Sequence, residues 1–122
     1  MSYDIRVGVK VAGLDDCYAV IAEPEYHSPT YNLGMMFRAC TGWNFDQGEW
    51  YKASEVIPMI EHGIHELKFN RDRYESLNPK NGWGNIDSAL KALESMLECI
   101  MQEMSGSWSW NKIPAEYLYV CW

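Results

Sequence analysis

Several features that would settle the class of this chain at a glance are missing from it. No hydrophobic stretch approaches the eighteen or so apolar residues needed to cross a bilayer. The start, Met1-Ser2-Tyr3-Asp4, has neither the basic flank nor the apolar core of a secretion signal, so a cytoplasmic protein is expected. Cations are scarce: 10 lysines and arginines against 17 acidic residues give a net charge of −7. Duplex nucleic acid and anionic membranes both reward clustered lysine and arginine, so direct binding to either is not expected. A basic protein partner is favoured instead, because an acidic surface accelerates such encounters. Small anions stay open, since a few local donors outweigh a distant net charge that salt screens over roughly 10 Å. The four cysteines, Cys17, Cys40, Cys99 and Cys121, include no C-x-x-C pair, which excludes a zinc ribbon or a thioredoxin-type motif. With no secretion signal they are expected to be reduced, and because each falls in an apolar stretch with no evident histidine to activate it, they are expected to pack as small hydrophobes.

What is present is the profile of one globular domain spanning 1–122, with 48% apolar and 14% aromatic residues in 122. Ile5, Val7, Val9 and Val11 alternate with Asp4, Arg6, Gly8 and Lys10, the pattern of a strand with one buried face. Gly13-Leu14-Asp15-Asp16 supplies a turn, and residues 17–22 read as the returning strand of a hairpin. Ser28-Pro29 looks like a helix start, and Leu33, Met36, Phe37 and Cys40 recur at helical spacing, which predicts a helix over 29–41 closed by Gly42. A short strand is expected around Trp50 and Tyr51. A second helix follows, with Ser54 as its cap, Ile57, Ile60, Ile64 and Leu67 as its buried stripe, and Pro58 tolerable only near its start. After the turn-rich Asn78–Gly84 stretch, Asn85 caps the longest helix, whose stripe is Ile86, Leu90, Leu93, Leu97, Ile100 and Met104 and whose stop is Gly106. The closing residues 116–122 read as a strand. The sum is an α+β domain: a small antiparallel sheet, built from the N-terminal hairpin and the C-terminal strand, with about three helices packed on one face.

Catalytic motifs are weak. Glu61-His62-Gly63-Ile64-His65-Glu66 sets two histidines three apart on a helix, whereas a zincin needs them four apart with a glutamate directly after the first. A solvated helix face is expected there, with no metal. Ser28, Ser54, Ser76 and Ser88 sit where caps, turns and helix surfaces put serines, and no G-x-S-x-G, Walker or G-x-G-x-x-G pattern occurs. No catalytic residue and no cofactor are assigned, and a non-enzymatic protein is expected, with an enzyme of unknown type as the remaining alternative.

A richer signal surrounds two helix starts: Ser28-Pro-Thr-Tyr-Asn-Leu-Gly34 with Arg38 and Trp43, and Asn81-Gly-Trp-Gly-Asn85. Free backbone N–H groups at such starts favour anions, glycines permit close approach, and aromatic rings offer stacking faces. An aromatic heterocycle carrying phosphate suits that combination: Tyr31, Trp43 and Trp83 stacking on a base, Arg38 meeting a phosphate, Asn32 hydrogen-bonding and Asn85 completing the site. The plainer alternative is that Trp43 and Trp83 lock loops onto the core while Asn32 and Asn85 cap helices.

Those motifs, together with Met36-Phe-Arg38, Gly42-Trp43, Gln47-Gly48, Asn78-Pro-Lys-Asn-Gly-Trp-Gly84 and the stretch from Leu118-Tyr119 to Trp122, resemble a family of small uncharacterised proteins from phages, prophages and mobile elements of Gram-positive bacteria. The resemblance implies no role for any single residue. It implies a context, the cytoplasm of a bacterial host, and a counter-defence function. Two expectations follow. The first is a sponge, a homo-oligomer that sequesters a small nucleotide-like immune signal. The second is an acidic inhibitor that blocks a basic host nuclease such as a CRISPR effector, presenting Asp15, Asp16, Glu23, Glu25 and Glu103.

Overall fold

Alternation along the first segment produces the expected strand. In a computed structural model that describes residues 2–106 and 112–122, β1 (Arg6–Lys10) pairs antiparallel with β2 (Tyr18–Ala22), with Val9 opposite Ala19 and Lys10 opposite Tyr18. On its other side β1 pairs with β4 (Leu118–Cys121), Val7 facing Val120. The short strand expected near Trp50 is β3 (Trp50–Lys52), which adds to β4 and gives the sheet order β2-β1-β4-β3, antiparallel throughout. Period-two geometry sends Ile5, Val7, Leu118 and Val120 to one face, where all are buried.

Three helices cover that face. α1 (Gly34–Thr41) is shorter than the helix expected at 29–41. Residues 27–29 stay extended because the backbone beside β1 claims their carbonyls: Tyr3 N donates to Pro29 O and Ile5 N to His27 O, each at 2.8 Å. The capping role falls to Thr30, not Ser28, and it opens a single 3₁₀ turn, Tyr31–Leu33, ahead of α1. Gly42, at φ 70°, ends α1 as expected. α2 (Ala53–Phe69) begins one residue before the expected cap, because β3 runs straight into it and Lys52, not Ser54, is the last extended residue. Pro58 lies within its first two turns on the exposed side. Its buried stripe is Val56, Ile60, Gly63 and Leu67; Ile57 and Ile64 flank that stripe half-buried. α3 (Ile86–Ser105) starts and stops where the sequence indicates, with Asn85 Oδ1 accepting from Ser88 N at 2.9 Å and Gly106 at φ 74°. Lys68–Glu94 (3.3 Å) ties the end of α2 to α3, and Arg71–Asp87 (2.9 Å) ties the turn after α2 to the start of α3.

The core beneath the helices is aromatic. Phe45 stacks on Trp122 at 4.3 Å, and Tyr3, Phe37 and Trp43 close around that pair edge-on or tilted. The opposite face of the sheet carries its own tier, with Tyr18 stacked on Trp50 at 5.0 Å across Gly8. Gly8 has to be glycine here, since a Cβ would stand 2.5 Å from Ala19 O and 3.0 Å from the Trp50 ring. Among the described residues no helix is long and apolar enough to cross a membrane.

Candidate ligand cleft between two loops

The two polar, aromatic loops singled out in the sequence do meet. Gly84 packs so closely on the first loop that a Cβ there would lie 2.9 Å from Thr30 Cγ2 and 3.0 Å from Leu33, and its φ of 96° already favours glycine. Asn81 Nδ2 donates to Asn32 Oδ1 at 3.4 Å, linking the loops through their side chains. Each loop is also fixed internally. Asn32 Nδ2 donates to Thr30 Oγ1 (2.9 Å), Asn81 Oδ1 accepts from Trp83 N (2.9 Å) and Asn78 Oδ1 accepts from Ile86 N (3.0 Å).

Beside this junction lies an open cleft of about 420 Å³, lined by the hydroxyl-bearing Ser2, Tyr26, Ser28, Thr30 and Ser88 and by Trp83 and Gly84. Trp83 is 66% exposed, a large indole held at the rim by a turn whose backbone is pinned. Among the described residues no charged side chain lines the cleft. Two of the first N–H groups of α3, those of Ile86 and Ser88, are already occupied by Asn78 and Asn85, so the helix start keeps little free capacity for an anion.

The other residues expected at the site are placed elsewhere. Trp43 is 5% exposed and sits in the aromatic core against Phe45, Tyr51 and Trp122. Tyr31 is half-buried, edge-on to Tyr3 at 4.7 Å, and its hydroxyl accepts from Gln47 Nε2. The Arg38 guanidinium lies 4.6 Å from the centre of the Phe45 ring and interacts with the Tyr3 hydroxyl. Burial pushes that phenol up, and Arg38 partly offsets the shift. Asn85 is the α3 cap. Of the six, Trp83 alone lines the cleft, while Asn32 and Asn85 build the frame around it. Sequence reading placed Asn78 and Asn81 in the turn-rich loop but gave neither a role of its own. The Asn-Gly-Trp spacing, an asparagine two residues before the N–H it accepts from, is the signal that marks Asn81.

The histidine segment is exposed at both rings, yet His62 Nδ1 is 2.8 Å from Cys40 O and thereby joins α2 to α1. Glu66, expected on a solvated stretch, is 7% exposed. Tyr74 OH donates to it at 2.7 Å, Asn70 Nδ2 donates to it as well, and Arg73 pairs with it at 3.3 Å. These donors, Tyr74 first, hold its carboxyl below the ordinary 4.5 despite burial. The nearby Cys40 thiol is pushed up to about 12, chiefly by burial, which favours the protonated thiol at neutral pH. Among the described residues no group of three histidine, cysteine or carboxylate side chains gathers around a metal-sized space. The cysteines are free; Cys40, Cys99 and Cys121 are buried and Cys17 is half-buried. No protein-family model matches the chain, and neither a curated protein nor a solved structure matches it significantly.

Proposed function

We propose that this chain is a non-enzymatic binding protein that holds a nucleotide-like ligand by its nucleoside end. The base stacks on Trp83, and the hydroxyls of Ser2, Ser28, Thr30 and Ser88 hydrogen-bond the sugar and the edge of the base. The observation that carries the reading is the exposure of Trp83 on a pinned loop beside a polar cleft. An indole left in water is unfavourable, and a fixed one offers a stacking face at little entropic cost. With no cation among the described lining residues, the phosphates of such a ligand lie outside the cleft in solvent, and the nucleoside supplies most of the affinity. With the resemblance to small phage and mobile-element proteins, the binder acts as a sponge for a nucleotide immune signal.

Two measurements test this. Mass spectrometry of the small molecules released when the purified protein is denatured is expected to find a nucleoside or nucleotide. Melting curves are expected to rise with an added nucleoside nearly as much as with its phosphorylated form. If no purine or pyrimidine nucleoside or nucleotide shifts the melting curve and none is released, the reading fails.

A further inference from the structure

The two edges of the sheet are unlike. β3 is three residues long, ends in Lys52 and passes straight into α2, so it is short and charged, as protected edges are. β2 is five residues long, Tyr18-Ala19-Val20-Ile21-Ala22, with no charge and no proline. Among the described residues no strand pairs with its outer side. Alternate residues therefore keep backbone N–H and C=O groups open along that edge, which is what an added strand satisfies. Val20 is 45% exposed and Ile21 40%. Register slips by one between Val7 and Gly8, with Ala22 facing the first and Val20 the second. Ile21 is thus a bulge that leaves residues 17–20 as the regular part of the edge.

Charge at both ends of β2 names the occupant. Asp15 and Asp16 precede it; Glu23 and Glu25 follow it, all exposed. Beyond Ala22 the carboxylates continue into a groove of about 270 Å³, where Glu23 and Glu25 face Glu98 of α3. That segment is held in place, since Tyr26 N donates to Ser95 Oγ at 2.8 Å. The positive groups nearby are fewer and mostly engaged: Lys68 on Glu94 (3.3 Å) and Lys91 over the Tyr26 ring (5.4 Å), with Lys10 opposite Tyr18. A second copy pairing antiparallel at this edge would set the Asp15-Asp16 turn of one chain against Glu23 and Glu25 of the other, a like-charge arrangement that destabilises.

We propose that β2 is an interaction edge that accepts an extended segment of a basic protein as a fifth strand, the segment carrying a short apolar run with lysine or arginine at both ends. Backbone pairing supplies the affinity, and the flanking carboxylates select the charge of the partner. The inference is independent of the nucleoside cleft, because Trp83 takes no part in it.

The test uses a fluorescein-labelled peptide, Lys-Lys-Val-Thr-Val-Thr-Val-Lys-Lys, titrated with the intact protein and followed by anisotropy. Two control peptides are compared: one with glutamate in place of every lysine, and one with N-methyl groups on alternate central residues. The lysine peptide is expected to bind at least about tenfold more tightly than either control, and to weaken as salt rises. Val20→Lys is expected to weaken it by a similar factor while melting as the wild type does. Should that variant fold poorly, the N-methylated peptide on wild type decides. The proposal is overturned if the lysine peptide does not bind, if the glutamate or N-methylated peptide binds equally well, or if sedimentation without peptide shows a dimer that Val20→Lys abolishes, which would give the edge to a second copy.

Discussion

Tyr74 donates its hydroxyl to Glu66 across 2.7 Å, and this bond ties the end of α2 to the two turns that follow it. Asn70 and Arg73 converge on the same carboxylate from the intervening turn. A single buried acid thus organises the chain that leads into the Asn78–Asn85 loop, and its protonation reports on that arrangement.

Stability should consequently fall on the acid side. Glu66 titrates below the ordinary 4.5 in the folded protein, so its contribution is fully present above that value and is lost as pH falls through the lower folded value. The urea midpoint of wild type is expected to drop between about pH 5 and pH 3. Glu66→Gln should be less stable at pH 7 and lose less over that window. An unchanged pH slope in the variant would remove Glu66 from the account.

Arg38 and Trp43 are expected to behave as structural residues. Arg38→Ala removes an exposed cation over Phe45 and should lower stability by about 0.5–1 kcal/mol with ligand affinity within about threefold of wild type. Trp43→Ala empties a filled core position and should cost about 3–5 kcal/mol. Chemical denaturation and ligand titration of the same samples separate the two effects. A stable Trp43→Ala protein that has lost its ligand would return that residue to the binding site.

Thiol chemistry should divide the cysteines by burial. Burial is the leading cause that pushes Cys40 up to about 12 and Cys99 to about 11, and it raises Cys121 as well. At mildly alkaline pH, Cys17 alone should react promptly in the native protein, and all four should react once it is unfolded without reductant. A second fast native thiol would contradict the packing described. A loss of two thiols in the unfolded count would reveal a disulfide.

Local signals in the sequence carried much of this fold. The alternation from Ile5 to Val11 identified β1, and Asn85 and Gly106 bracketed α3 because a cap and a left-handed stop are both written in single residues. Helix starts with several candidate caps were harder. Ser28 and Ser54 are chemically as good as Thr30 or Asn85, but pairing of residues 27 and 29 with the backbone at Tyr3 and Ile5, and the direct run from β3 into α2, overrode them. The two tryptophans show the limit most clearly. Trp43 and Trp83 each follow a glycine, yet one is 5% and the other 66% exposed. Tertiary contacts far apart in sequence decide that difference: the Trp122 and Phe45 rings enclose the first, and the approach of Gly84 to Thr30 fixes the loop that carries the second.

The most direct test of the nucleoside cleft is calorimetric titration of nucleosides, cyclic di- and trinucleotides and ADP-ribose derivatives into wild type and Trp83→Ala. Because Trp83 is exposed, the variant is expected to melt with wild type. Stacking of a base on an aromatic ring is worth about 1–3 kcal/mol, so at least one compound should bind wild type and bind the variant about tenfold to a hundredfold more weakly. Equal affinity of the folded variant, or no binding of any compound to wild type, would contradict the account.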